Sequence, residues 1–249
     1  MFPKYKPKVI TKLILTIFLL FNPASIVIGA ELNSKTETYE YIAVPLKSGG
    51  ESEKENISSR FYRNDSGLNY TSEVLSSEGR EVIRIKMLKD GRFISAEKDV
   101  LNSSGVPEQK SSILTKEGSV YIKNINKNKE ALKTDVLPKD RPFAVDGSLL
   151  VMMRLFPFGE NKIWKIFMAD FSGSFITVDL EMAGEEKISV PAGEFECYKM
   201  RITVNQFIFQ PKIYFWISKQ EPHFMVKHTG KRGPFTKTYS TSLISLGSR

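Results

Sequence analysis

The chain has 249 residues, a formal net charge of +8, one cysteine and two histidines. Cys197 alone cannot form an intramolecular disulfide, and one thiol with two imidazoles excludes a multi-cysteine zinc cluster. The positive charge is concentrated at the start: Lys4, Lys6, Lys8 and Lys12 supply half of it, so the remainder is only mildly basic.

Those lysines precede an apolar run from Leu13 to Phe21 that only Thr16 interrupts. Asn22-Pro23 breaks the run, and Ile28-Gly29-Ala30 offers small residues for a peptidase. This is the pattern of a secretory signal peptide over residues 1–30, with a core short for a bilayer span; a retained membrane anchor is the alternative. Glu31 rather than cysteine follows Ala30, so bacterial lipoprotein processing is not expected. The expectation is an exported protein, periplasmic or extracellular, whose residues 31–249 form a single β-rich domain.

Thr36 to Leu46 reads as the first strand, and the charged stretch Glu51 to Ser58 reads as loop. Strands follow at Leu68 to Ser76 and Glu81 to Leu88, where Ile83, Ile85 and Met87 give one apolar face. Asp90-Gly91 suits a type I′ hairpin turn before the return strand Arg92 to Val100. A second hairpin is predicted at Glu117-Gly118, and the polar, lysine-rich stretch Asn124 to Asp140 reads as a long loop. Asp146 or Ser148 can cap the one predicted helix, Leu149 to Phe156, which Pro157 ends. Its residues are apolar on nearly all sides, so protein must surround it. Beyond it, strands are predicted at 162–170, 174–182, 186–190, 194–205, 212–218, 223–229 and 235–245, separated by Gly- and Pro-bearing turns. The fold class expected is therefore mainly β: a single antiparallel curved sheet or barrel-like domain with one short buried apolar helix.

Few residues invite chemistry. His223 and His228, five apart along a strand, fall on opposite faces and cannot chelate one metal without a bulge. The chain has no Gly-x-Ser-x-Gly elbow and no phosphate-cradling glycine motif. Asp170, Asp179, Glu181, Glu185, Glu186, Glu194 and Glu196 lie near one another in sequence, and a glycosidase needs only two carboxylates suitably spaced. No catalytic residue, metal ligand or cofactor is assigned. Lys227, His228, Lys231, Arg232 and Lys237 gather near one hairpin and are candidates for peripheral contact with an anionic membrane surface. Nucleic acid is not an expected partner in this compartment.

The C-terminal half resembles an exported bacterial β-rich family known only as a domain of unknown function. The residues that carry the likeness are Asp146-Gly147-Ser148-Leu149, Arg154-Leu155-Phe156-Pro157 and the block Val190-Pro191-Ala192-Gly193-Glu194-Phe195-Glu196-Cys197-Tyr198-Lys199. Lys212 to Ser218 and Pro222 to Lys227 complete it. More distantly, a β-rich exported chain with an internal apolar helix looks like the lipoprotein-carrier folds, in which a curved sheet cradles acyl chains. The resulting expectation is a non-enzymatic envelope protein binding a lipid or other hydrophobic ligand. Leu149, Met152, Met153 and Phe156 would line the site, facing Trp164, Phe215 or Trp216. A structural module holding an envelope protein partner is the first alternative, and a glycan or lipid hydrolase using paired carboxylates is the second.

Overall fold

The computed structural model describes residues 35–46, 53–126, 129–145, 147–160, 162–205, 211–231 and 238–248. The leader at residues 1–30, Asp146, Arg232 and Lys237 lie outside them. The first half of the chain folds as β1 (Lys35–Pro45), β2 (Glu55–Asn64), β3 (Gly67–Ser76), β4 (Gly79–Met87), β5 (Phe93–Asn102), β6 (Pro107–Lys116), β7 (Ser119–Asn126) and β8 (Lys129–Val136). β9 (Phe143–Val145) and the helix α1 (Ser148–Met153) follow. The second half comprises β10 (Ile163–Ala169), β11 (Phe175–Val190), β12 (Gly193–Val204), β13 (Lys212–Ser218), β14 (Met225–Lys231) and β15 (Thr238–Ser248).

These strands form one 15-stranded sheet in the order β8-β7-β6-β5-β4-β3-β2-β1-β15-β14-β13-β12-β11-β10-β9. Two meanders run outward from the central β1–β15 pair, and every pairing is antiparallel except β9 with β10. The chain therefore passes from one end of the sheet to the other through residues 137–142 alone. A flat sheet of fifteen strands would hold its edges about 67 Å apart at ~4.8 Å per strand. Residues 137–142 can span only about 24 Å when fully extended. The sheet must therefore curl until its halves face each other. Bulges at Glu40/Tyr41, Lys86/Met87, Val100/Leu101, Met182/Gly184 and Trp216/Ile217 supply local bend and twist.

The curl stops short of closure, so the barrel expectation is corrected. The edges β8 and β9 do not pair with each other. β9 turns inward, where Phe143 meets Phe93 of β5 edge to face at 5.3 Å. Asn124 donates to the Phe171 carbonyl at 3.1 Å and Lys133 to the Gly173 carbonyl at 3.0 Å, tying β7 and β8 to the β10–β11 turn.

Two predicted loops are strands. β2 escapes the expected alternation because its inner face carries Ser59 between Ile57 and Phe61; that hydroxyl is buried and bonded to Tyr70 Oη at 3.1 Å. β8 occupies the stretch read as a long loop. Every residue of β8 is exposed, so no apolar alternation marks it, and its structure comes from its ladder with β7. The hairpin chemistry also differs from expectation. Glu117 and Gly118 both take positive φ, as a type I′ pair requires. At Asp90-Gly91 only Gly91 does, and Leu88 and Arg92 bond across a three-residue loop. The helix is shorter than predicted, since residues 154–156 continue as turn. Gly147, not Asp146 or Ser148, stands at its N-cap, and the Ser148 hydroxyl bonds back to Val145 N and O at 2.8 and 2.9 Å.

Candidate functional site

All six residues of α1 are buried between the facing halves of the sheet. Its N-terminus at Gly147 approaches Ile85 and Tyr70, while Leu155 beyond its C-terminus lies over the β4–β5 loop at Gly91. Arg154 anchors the same end. Its Nη1 pairs with Glu37 Oε2 of β1 at 2.6 Å, with both side chains largely buried. The guanidinium stacks on the Phe61 ring at 3.7 Å, and the Tyr39 hydroxyl donates to the same Glu37 oxygen at 2.9 Å. Burial, the dominant influence, raises the Tyr39 hydroxyl well above the ordinary tyrosine range. An arginine within an apolar run was the sequence signal for this anchor; its partner 117 residues away was not legible.

Beside α1 lies a cavity of about 980 Å³. Its apolar wall is formed by Phe93, Phe143, Met152, Leu155 and Trp164, with Leu137 and Pro138 of the connecting segment at one side. The mouth is charged. Asp90 pairs with Arg92 at 2.8 Å, Asp140 with Arg141 at 2.5 Å and Lys116 with Glu117 at 3.3 Å, and Lys165 joins them at the rim. The neighbouring guanidiniums hold the Asp90 and Asp140 carboxyls below the usual range, so the rim carries both signs at neutral pH. This volume lies at the upper end for small-molecule sites, and an apolar wall with a charged mouth suits an amphiphile lying tail-first.

The seven sequence-predicted lining residues divide between three places. Met152 and Trp164 reach the cavity. Leu149, Met153, Phe156 and Phe215 pack into the core: the Phe156 ring lies 5.0 Å from that of Trp164, and Phe215 lies 4.7 Å from the His228 ring. Trp216 points to the opposite face of β13, where its Nε1 donates to Glu186 Oε2 at 2.7 Å between the ammonium groups of Lys199 and Lys227. Phe93, Phe143 and Leu155 were missed. They come from strand ends and a post-helical turn, which only the curl of the sheet brings together.

Of the seven acidic residues near in sequence, four are held in separate ion pairs, while Asp179 Oδ1 is buried with no hydrogen-bond partner among the described residues. Glu181 pairs with Arg201, Glu185 with Lys219, Glu186 with Lys199 and Glu194 with Lys187. Lys199 and Trp216 together lower the Glu186 carboxyl. Asp170 is buried and accepts from the backbone and hydroxyl of Ser172 and the backbone of Ser174; burial, the largest influence, raises its carboxyl. Cys197 is buried too, and burial pushes its thiol up to about 12, so it is held as an unreactive thiol. Among the described residues no cluster of three or more His, Cys, Asp or Glu side chains is arranged to hold a metal ion. His223 bonds to the Ser218 carbonyl and lies near Glu221, while His228 is buried against Phe215.

A family model described as Protein of unknown function (DUF3108) matches residues 101–235, more than half of the chain. The chain belongs to that family. The DUF3108 match runs from the end of β5 into the segment before β15, so it includes α1, the connecting segment and most of the cavity wall. No curated protein matches this DUF3108 member. Among solved structures, a candidate lipoprotein from Parabacteroides distasonis aligns at 14% identity over 85% of this chain and 94% of its own, with a TM-score of 0.31. A candidate exported protein with a YmcC-like fold from Bacteroides fragilis aligns at 10% identity over 92% and 99%, with a TM-score of 0.33. The hypothetical lipoprotein YmcC from Escherichia coli aligns at 11% identity over 86% and 85%, with a TM-score of 0.32.

Proposed function

We propose that this protein is a non-enzymatic, exported envelope protein that binds a lipid or other amphiphile in the cavity beside α1. The observation that carries the reading is the cavity itself: about 980 Å³, with an aromatic and aliphatic wall and a rim of mixed charge. A single acyl chain would lie against Phe93, Met152 and Trp164 while its polar head met the rim. Burial of its methylenes contributes about 0.8 kcal/mol each, so an apolar tail of moderate length is enough for micromolar binding after the cost of immobilisation. Export rests on the leader pattern at residues 1–30. On this reading the ligand is held and released unchanged.

The two tryptophans make the test direct. Trp216→Phe leaves Trp164 as the only indole, at the cavity wall. Titrating that variant with oleate and with lysophosphatidylglycerol should shift the Trp164 emission to shorter wavelength in a saturable way. Native mass spectrometry of the exported protein, purified without detergent and then solvent-extracted, should recover an intact lipid-like mass. An unchanged emission with both amphiphiles, together with a clean apo mass, would sink the reading. Recovery of a hydrolysed product would replace it with the hydrolase alternative.

A further inference from the structure

The two edges of the sheet are treated differently. β9 is three residues long and fully buried, whereas β8 runs eight residues with every side chain exposed. Among the described residues no strand lies beyond β8. The Leu137 N–H donates to the Gly118 carbonyl, so residues 118 and 137 form a hydrogen-bonded pair of the ladder. By alternation Glu130, Leu132, Thr134 and Val136 turn their backbone N–H and C=O groups outward, away from β7. Their side chains also share the outer face of the sheet with Tyr121 and, across β7, Leu114. Leu132 is 69% and Val136 72% exposed, and Tyr121 and Leu114 are both exposed beside them. Single exposed apolar residues are ordinary, but four contiguous ones at an open edge are the surface that folded proteins usually protect.

We propose that this edge pairs with the β8 edge of a second copy of the chain, antiparallel about a two-fold axis at Thr134. That register sets Leu132 opposite Val136 twice and sets Lys133 opposite Asp135 twice, so both the apolar and the charged residues are self-complementary. A parallel, in-register pairing would instead oppose Lys133 to itself, which the like charges disfavour. An axis at Leu132 would carry Val136 past the end of the facing strand. Two details fit the Thr134 axis. Lys133 uses one of its three N–H donors on the Gly173 carbonyl, leaving others for a carboxylate. Asp135 Oδ1 now accepts the Val136 N–H at 2.8 Å, an outward-facing donor that the second copy's strand would take over while Asp135 turned to its lysine. The contact is small, so the dimer should be weak, with a dissociation constant on the order of 10 µM. It is independent of ligand binding in the cavity.

Sedimentation velocity of the exported protein from about 1 to 200 µM tests this (a range that brackets the expected constant). The wild type should move from monomer to dimer across that range. Asp135→Lys should weaken association at least tenfold, and the charge exchange Lys133→Asp with Asp135→Lys should restore it, since the same register then re-pairs opposite signs. Thr134→Cys places a thiol on the axis and should form a disulfide-linked dimer under mild oxidation. Leu132→Cys, which faces Val136 in that register, should not link to itself at a comparable rate; Cys197 is buried and contributes no background. A monomer at every concentration, association indifferent to Asp135→Lys, or equal cross-linking at positions 132 and 134 would each overturn the proposal.

Discussion

The two flanks of α1 contrast within a few ångströms of chain. On one flank Leu149 and Met153 are wholly enclosed; on the other Met152, equally apolar and also buried, forms part of a cavity wall. The residue types are interchangeable, yet one set fills space and the other borders it. What separates them is the neighbouring strand ends. Where the halves of the sheet meet closely, side chains interdigitate at native density. Where the residues 137–142 must cross from β8 to β9, the hairpin tips stand away from the helix and leave a hollow. An apolar helix is thus evidence of enclosure, not of a ligand.

This contrast can be broken by mutation. The largest effect should come from the filled flank. Met153→Asp buries an uncompensated charge and should leave the protein unfolded by circular dichroism, while Leu149→Ala should cost about 2–5 kcal/mol in chemical denaturation. If Met153→Asp folds normally, the filled flank is not packed as described. Arg154→Met comes next. It strands Glu37 in a largely buried position and should cost about 3 kcal/mol, most of which Arg154→Met with Glu37→Gln should recover. An additive pair would mean that the ion pair does not couple α1 to β1.

Met152→Phe should change stability by less than about 1.5 kcal/mol, because the added volume enters open space. Its effect should appear instead in the Trp164 titration, as at least tenfold weaker amphiphile binding. The reverse outcome, a large stability loss with binding intact, would erase the distinction between the flanks. Asp170→Asn supplies the smallest effect and a variant that should leave binding untouched. The Asp170 carboxyl is raised in the folded state, so its favourable contribution is fully present below the unfolded value and is lost as pH rises through the folded one. The asparagine variant should therefore gain on the wild type in denaturation midpoints between pH 4 and pH 7. A wild type that instead gained on the asparagine variant over that interval would reverse the assignment.

Local chemistry was legible wherever one face of a segment met the core. The alternation of Ile83, Ile85 and Met87 marked β4, and the turn Pro191-Ala192-Gly193 set the long β11–β12 hairpin. Alternation fails when a buried serine replaces a hydrophobe, as Ser59 does in β2, or when neither face is buried, as in β8. It also identifies a face without saying what lies opposite. For that reason Trp216, read as a cavity residue, instead stands on the outer face with Glu186 and two lysines. Of the five residues of the apolar wall, two, Met152 and Trp164, were therefore legible in the sequence, and three, Phe93, Phe143 and Leu155, were not visible as a site at all.

The sequence by itself determined a mainly β chain with one enclosed helix, a lone thiol with no intramolecular disulfide partner and the block that identifies its family. These follow from residue type and short-range spacing, which act over a turn or a strand. Only the tertiary structure decided that fifteen strands curl without closing, that Arg154 meets Glu37, and that a cavity opens on one flank of α1 and not the other. Those outcomes depend on the distance a short connection can cross and on which strand ends it draws together. Neither quantity is written in any local run of residues.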